Sequence, residues 1–157
     1  MTKDEYQKTI NPDDKDCPIC AGLNGLFQSD KFHNQIEFPE NTGRGYCQRT
    51  VVTPSLEILL YDVTFGKSTT LSGAEGSIPY FFAFCLGGNL EWSKNGTGKE
   101  FELSGGEHYI FSRASLNPVS RFSEGQHFIG MSIAIDNDML SRLLSDGGKK
   151  NMLDSLL

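Results

Sequence analysis

The residues best suited to chemistry are three histidines and four cysteines, and their spacing argues against most of it. His33, His108 and His127 lie far apart in the chain. A first-row metal needs several convergent nitrogen, sulfur or oxygen ligands. No two of these histidines are separated by one residue, so no single strand presents a pair. The expectation is surface or hydrogen-bonded histidines, with no metal and no cofactor. Cys17-Pro18-Ile19-Cys20 could supply half a zinc site or a redox pair. Zinc would need two more ligands from distant segments, from Cys47, Cys85 or His33. A thioredoxin-type pair needs a βαβ setting, which the surrounding pattern lacks. Ordinary thiols are expected. No Gly-x-Ser-x-Gly elbow or phosphate loop occurs, and Gly43-Arg44-Gly45 is too short to be one. Glu91, Glu102 and Glu107 read as solvated strand faces and not as an acid–base pair. No catalytic residue is assigned.

What remains is an aromatic set: Phe82, Phe84, Trp92, Tyr109 and Phe111, with Arg113 close by as a polar donor. Small-molecule sites are mostly apolar concavities with a few orienting polar groups. These six residues are the expected ligand lining, provided the fold turns them into one cavity.

The elements that must do so are short strands. Ile78, Tyr80, Phe82, Phe84 and Leu86 alternate onto one face, because side chains on a strand switch sides at every residue. Leu90 and Trp92 open a second strand, Phe101 and Leu103 a third, and Tyr109 and Phe111 a fourth. Asn95-Gly96 and Gly105-Gly106 mark the corners. Upstream, residues 39–46 read as a glycine-rich loop and Cys47–Val52 as a short strand. Leu56 to Phe65 is apolar on both faces and so reads as a central strand. One short strand is allowed within Gly66–Gly76, and Val119–Phe122 is short and mixed. His127, Ile129, Met131, Ile133 and Ile135 alternate against Phe128, Gly130, Ser132 and Ala134, so the second face is small. At Asp136-Asn137 the period lengthens to that of a helix carrying Met139, Leu140, Leu143 and Leu144, with Asp136 or Asn137 as cap. Gly147-Gly148 ends it, and Met152, Leu153, Leu156 and Leu157 suggest a further helix. Residues 1–38 read as a short helix or loop packed on the rest.

With 157 residues one domain is the default, and about 70% of the unfolded surface can be hidden. Seventeen glycines favour many turns. A net charge of −6 repels phosphate backbones and argues against direct nucleic-acid binding by this chain. No apolar run is long enough to span a bilayer, and the polar start, MTKDEYQKTINPDDKD, is no signal peptide. A cytoplasmic setting follows, in which Asn95-Gly96-Thr97 is a turn and not a glycosylation site. The fold class is mainly β, a cupin-like jelly-roll barrel followed by C-terminal α-helices. Its parts are an arm (1–38), the barrel (39–136) and helices (137–157).

Several motifs together carry a family likeness. Pro39-Glu40-x-x-Gly43-x-Gly45-Tyr46, Thr53-Pro54-Ser55-Leu56-Glu57-Ile58, a strand ending Tyr61-Asp62, Phe82-x-Phe84-x-Leu86-x-Gly88, Leu103-Ser104-Gly105-Gly106 and Ile133-x-Ile135 occur in this order. Over residues 39–144 the chain resembles the N-terminal sensory domain of AraC-family transcription regulators, in the subgroup of the ferric-pyochelin-sensing regulator. The resemblance implies a domain that binds a small effector and dimerises, here through its C-terminal helices. It also implies that DNA is reached only through a helix-turn-helix domain absent here, so that this chain would be either an excised regulatory domain or a truncated relative. Where the family's sugar sensors often carry a histidine, this chain has Asn117-Pro118, so the effector is left open. Two alternatives stand beside it: a cupin-type enzyme, isomerase or dioxygenase, and a protein-interaction barrel.

Overall fold

The computed structural model describes residues 9–10, 22–23, 25–26, 29–72, 80–94, 100–112 and 118–147. The strands are β1 (Thr9–Ile10), β2 (His33–Glu37), β3 (Gly43–Thr53), β4 (Leu56–Phe65), β5 (Thr69–Ser72), β6 (Tyr80–Gly87), β7 (Asn89–Lys94), β8 (Glu100–Ser104), β9 (His108–Ser112), β10 (Pro118–Phe122) and β11 (His127–Ile135). One helix, α1 (Asn137–Gly147), follows. Strands β2-β3-β4-β11-β6-β9 form one sheet and β1-β5-β10-β7-β8 the other. Only the β1–β5 pair is parallel among the described ladders.

The expected jelly-roll class holds, but the expected closed barrel does not. β8 and β9 are joined by a tight turn at Gly105-Gly106, yet each ends its own sheet, with no ladder between them. The result is a sandwich with an open edge. The two sheets bury their inward faces against each other, as aligned sheets about 10 Å apart do. Cys47, Val63, Phe65 and Cys85 from one sheet meet Leu103 and Phe122 from the other, with Phe128, Phe38 and Leu26 completing the cluster. Phe65 stacks on Phe122 with centroids 4.2 Å apart, and Phe122 meets Phe128 at 5.1 Å. Such pairs add to plain area burial, so this end of the interior is sealed.

Three local expectations need correction. β3 begins at Gly43 and not at Cys47, so the glycines lie inside a strand. Gly45 has φ +116, and a Cβ there would lie 1.9 Å from the Asp62 carbonyl of β4. The glycine marks a close approach of two strands and not a loop. Residues 33–37, read as helix or loop, form β2, which adds to the edge of the six-stranded sheet. Residues 9–10 form β1. Residues 22–23 and 25–26 are helical, in line with the reading there. The helix expected after Asp136 is present. Asp136 Oδ1 accepts the Met139 amide at 2.8 Å, a side-chain N-cap that also holds the Asp136 carboxyl below its ordinary range. Ile78, Asn95-Gly96 and the helix expected beyond Gly148 lie outside the described residues.

Arg49 pins the N-terminal segment to this frame. Its guanidinium is inward-facing and nearly buried. Nε donates to Glu57 Oε2 at 2.9 Å and Nη2 to Glu57 Oε1 at 2.5 Å, while Nη1 donates to the carbonyls of Ser29 at 2.8 Å and Leu26 at 3.4 Å. The bond to Glu57 pushes the Arg49 pKa up. A paired buried charge is tolerable and an unpaired one is not. Arg49→Ala should therefore cost about 3–5 kcal/mol in urea unfolding, from the stranded Glu57 carboxylate. Arg49→Lys should rescue only part of it, since an ammonium cannot make the forked contact. Gly45→Ala should cost about 2–4 kcal/mol by the same measurement, from positive φ and the clash with Asp62. A loss under 0.5 kcal/mol in either alanine variant would contradict this account.

Candidate functional site

The pleat decides which side chains can form a site. Residues directly opposite in neighbouring strands share a face. On β6, Phe81 pairs with Ala134, Ala83 with Ser132 and Cys85 with Gly130. Cys85 belongs to the sealed core, so this is the inward set. Phe82 pairs with Ile133 and Phe84 with Met131, and both therefore face outward. The alternation expected at Tyr80, Phe82, Phe84 and Leu86 is present, but it lies on the outer side of the sheet. There Phe84 lies 6.0 Å from the exposed His108 ring. The expectation that Phe82 and Phe84 share an interior lining with Trp92 and Tyr109 is corrected.

Trp92 and Tyr109 do come together. Tyr109 pairs with Ala83, which turns it inward from β9, the edge of the six-stranded sheet. Trp92 faces it from the other sheet, with ring centroids 4.7 Å apart and planes at 62°. Phe101, opposite Trp92 on β8, stacks on the indole at 4.5 Å and 16°. These three rings bridge the open edge. Phe111 pairs with Phe81 in the backbone register, and its side chain lies outside the described residues, as does Arg113.

Behind the rings the side chains are small. One transverse row of the six-stranded sheet runs Arg49, Leu59, Ser132, Ala83, Tyr109. With strands about 4.8 Å apart it spans about 19 Å. Ser120 of β10, opposite Trp92, is the small residue on the facing sheet. Ala83, Ser132 and Ser120 all point between the sheets and yet keep partial solvent access. An inward-facing alanine or serine is reached by water only where the facing layer does not fill the space. Leu59, Phe81 and Ala134 form a small buried cluster beside it, with Tyr61 packed on them. At the far end of the row lies the Arg49–Glu57 pair, whose charges cancel.

Reactive groups are scarce here. Burial pushes the Cys47 thiol up to about 12 and raises that of Cys85, so both are protonated and poor nucleophiles at neutral pH. Cys17 and Cys20 lie outside the described residues. His33, His108 and His127 are all exposed. His33 bonds Thr50 Oγ1 at 3.2 Å, and His127 Nε2 lies 2.8 Å from Asp62 Oδ1. Glu91, Glu102 and Glu107 are exposed, as read. Among the described residues, no three histidine, cysteine or acidic side chains are grouped to hold a metal. No helix among the described residues is long and apolar enough to cross a membrane.

Sequence reading missed Phe101 and the Arg49–Glu57 pair. Phe101 gave a signal, since it shares a hairpin with Trp92. Arg49 and Glu57 gave none, because an ion pair across two strands depends on register.

Comparison with known proteins places the chain. No curated protein matches it. Among solved structures, the AraC-like transcriptional activator CuxR is similar over 75% of this chain and 42% of its own, at 10% identity and TM-score 0.48. FeII HppE is similar over 70% of this chain and 60% of its own, at 17% identity and TM-score 0.49. A cupin superfamily protein from Desulfitobacterium hafniense is similar over 65% and 84%, at 14% identity and TM-score 0.46. The chain thus spans less than two thirds of the first two, and these likenesses carry no argument about ligand or activity. The family model described as the regulatory protein PchR N-terminal domain matches residues 42–157. The chain belongs to that family, the regulatory N-terminal domains of AraC-type transcription regulators.

Proposed function

We propose that this domain senses a small effector held between its two sheets, on the side of Trp92 and Tyr109, and performs no catalysis. The observation that carries the reading is the partly exposed floor of Ala83, Ser132 and Ser120 behind the aromatic rings. A packed interior ordinarily excludes solvent from such positions. Apolar rings around a small-residue floor, with a few hydroxyls, make the usual composition of a ligand site.

Effector binding would act by population shift. Ser132 of that floor belongs to β11, which runs through Ile135 directly into the Asp136-capped helix α1. The same row ends at Arg49, which holds the carbonyls of Leu26 and Ser29. A guest that moves this row by a fraction of an ångström touches both exits of the domain. In this reading residues 1–38 are an arm, 39–136 the sensing unit and 137–157 the helices that form a homodimer. DNA is contacted by a helix-turn-helix domain beyond this chain, in the cytoplasm. Phe82 and Phe84 then serve the outer apolar face, with Met131 and Ile133. That face favours a second reading, a surface for another protein layer.

A thermal-shift screen with siderophores, sugars, aromatic compounds and short peptides tests the first reading. A true effector at a hundred times its Kd should stabilise the fold by about 2.7 kcal/mol. That gain should vanish in Trp92→Leu and persist in Phe82→Ala. No stabilisation by any compound, or stabilisation lost in Phe82→Ala and not in Trp92→Leu, would overturn it.

A further inference from the structure

The three rings at the open edge are not equivalent. Trp92 is 6% exposed, whereas Phe101, stacked flat upon it, is 39% exposed. The rings at the sealed end, Phe65, Phe122 and Phe128, are all buried. Phe101 is also placed differently in the backbone. It belongs to β8, an edge strand paired only with β7 among the described residues, and edge strands are the part of a sheet that moves at least cost. One face of the indole is thus covered by an exposed ring on an edge strand, whose other ring neighbour is Tyr109 at 6.4 Å.

We propose that Phe101 is a displaceable plug, and that the effector is a planar, non-anionic conjugated molecule that enters between the edges of β8 and β9 and takes the ring's place on Trp92. This rests on the sensing reading above and names the ligand class and the entrance of that site. Planarity follows from the stack. A face-to-face contact at 16° is shaped for a flat surface, and aromatic pairs favour such offset stacking. The charge preference follows from two observations. On the inward strand positions described, Arg49 and Glu57 are the charged residues, and they neutralise each other. Outside the same edge, Glu91, Glu100 and Glu102 are exposed on the outer face of β7 and β8; Arg121 lies 3.7 Å from Glu100, and the net negative charge left on that face disfavours an anion. Once past the plug, a flat guest meets Ala83, Ser132 and Ser120, which leave it room and offer hydroxyls.

The test uses isothermal titration calorimetry on the full chain with 2-naphthol, its saturated counterpart decahydro-2-naphthol, and 2-naphthoate. 2-Naphthol should bind at least tenfold more tightly than the other two. Phe101→Ala should tighten 2-naphthol roughly twofold to tenfold by removing the competing stack. Phe101→Leu, which keeps an apolar side chain without a flat face, guards against a folding defect and should also tighten it. Because Trp92 is the sole tryptophan, acrylamide quenching of its emission should rise in both variants. Equal binding of 2-naphthol and decahydro-2-naphthol, preferred binding of 2-naphthoate, unchanged or weaker binding in both Phe101 variants, or no binding of 2-naphthol would each overturn the proposal. A non-planar compound that stabilises the chain through Trp92 would overturn it while leaving the sensing reading intact.

Discussion

The register of β11 between β4 and β6 is the constraint on which the rest depends. β11 pairs with β4 from His127–Thr64 to Ile135–Leu56 without a break, and with β6 on its other side. Because side chains alternate, a slip of one residue would exchange its two faces. Ile129, Met131 and Ile133 would then fill the interior, and Gly130, Ser132 and Ala134 would lie outside. The observed register puts the bulky aliphatic residues on the outer face and the small ones inward. The small inward row exists because of that choice.

The sandwich is accordingly uneven along its length. At one end, stacked phenylalanines fill the gap and tie the sheets together. At the other, small inward side chains lie behind three rings at the edge. Sites that hold a guest commonly depart from ideal packing and rely on the rest of the domain for stability. The Arg49–Glu57 pair fits this division. It adds little net stability once desolvation is counted, but it fixes one arrangement of the segment at Leu26 and Ser29 on the frame.

Much of the fold was legible in the sequence, because two-residue alternation and glycine corners are local signals. β4, β6 through β9, β11 and the capped helix all follow from them. The glycines at 43 and 45 misled, since glycine marks close strand approach as readily as it marks a turn. β2 was hidden because an edge strand of mixed polarity, HNQIE, has no strong period. The site was half legible. Trp92 and Tyr109 were visible as aromatics on a meander. Which face of β6 points inward was not, because the bulkier set, Tyr80, Phe82, Phe84 and Leu86, lies outward, and pairing of Ala83 and Cys85 with the small face of β11 decides it.

In the proposed sensing role the guest is held on the inner face of the six-stranded sheet. NMR titration with a stabilising compound tests it most directly, because reporters lie on both faces. The account predicts saturable shifts of the Trp92 indole N–H and the Ala83 methyl, with the Met131 methyl on the outer face unmoved. Shifts at Met131 and Phe84 with Trp92 and Ala83 silent would contradict it.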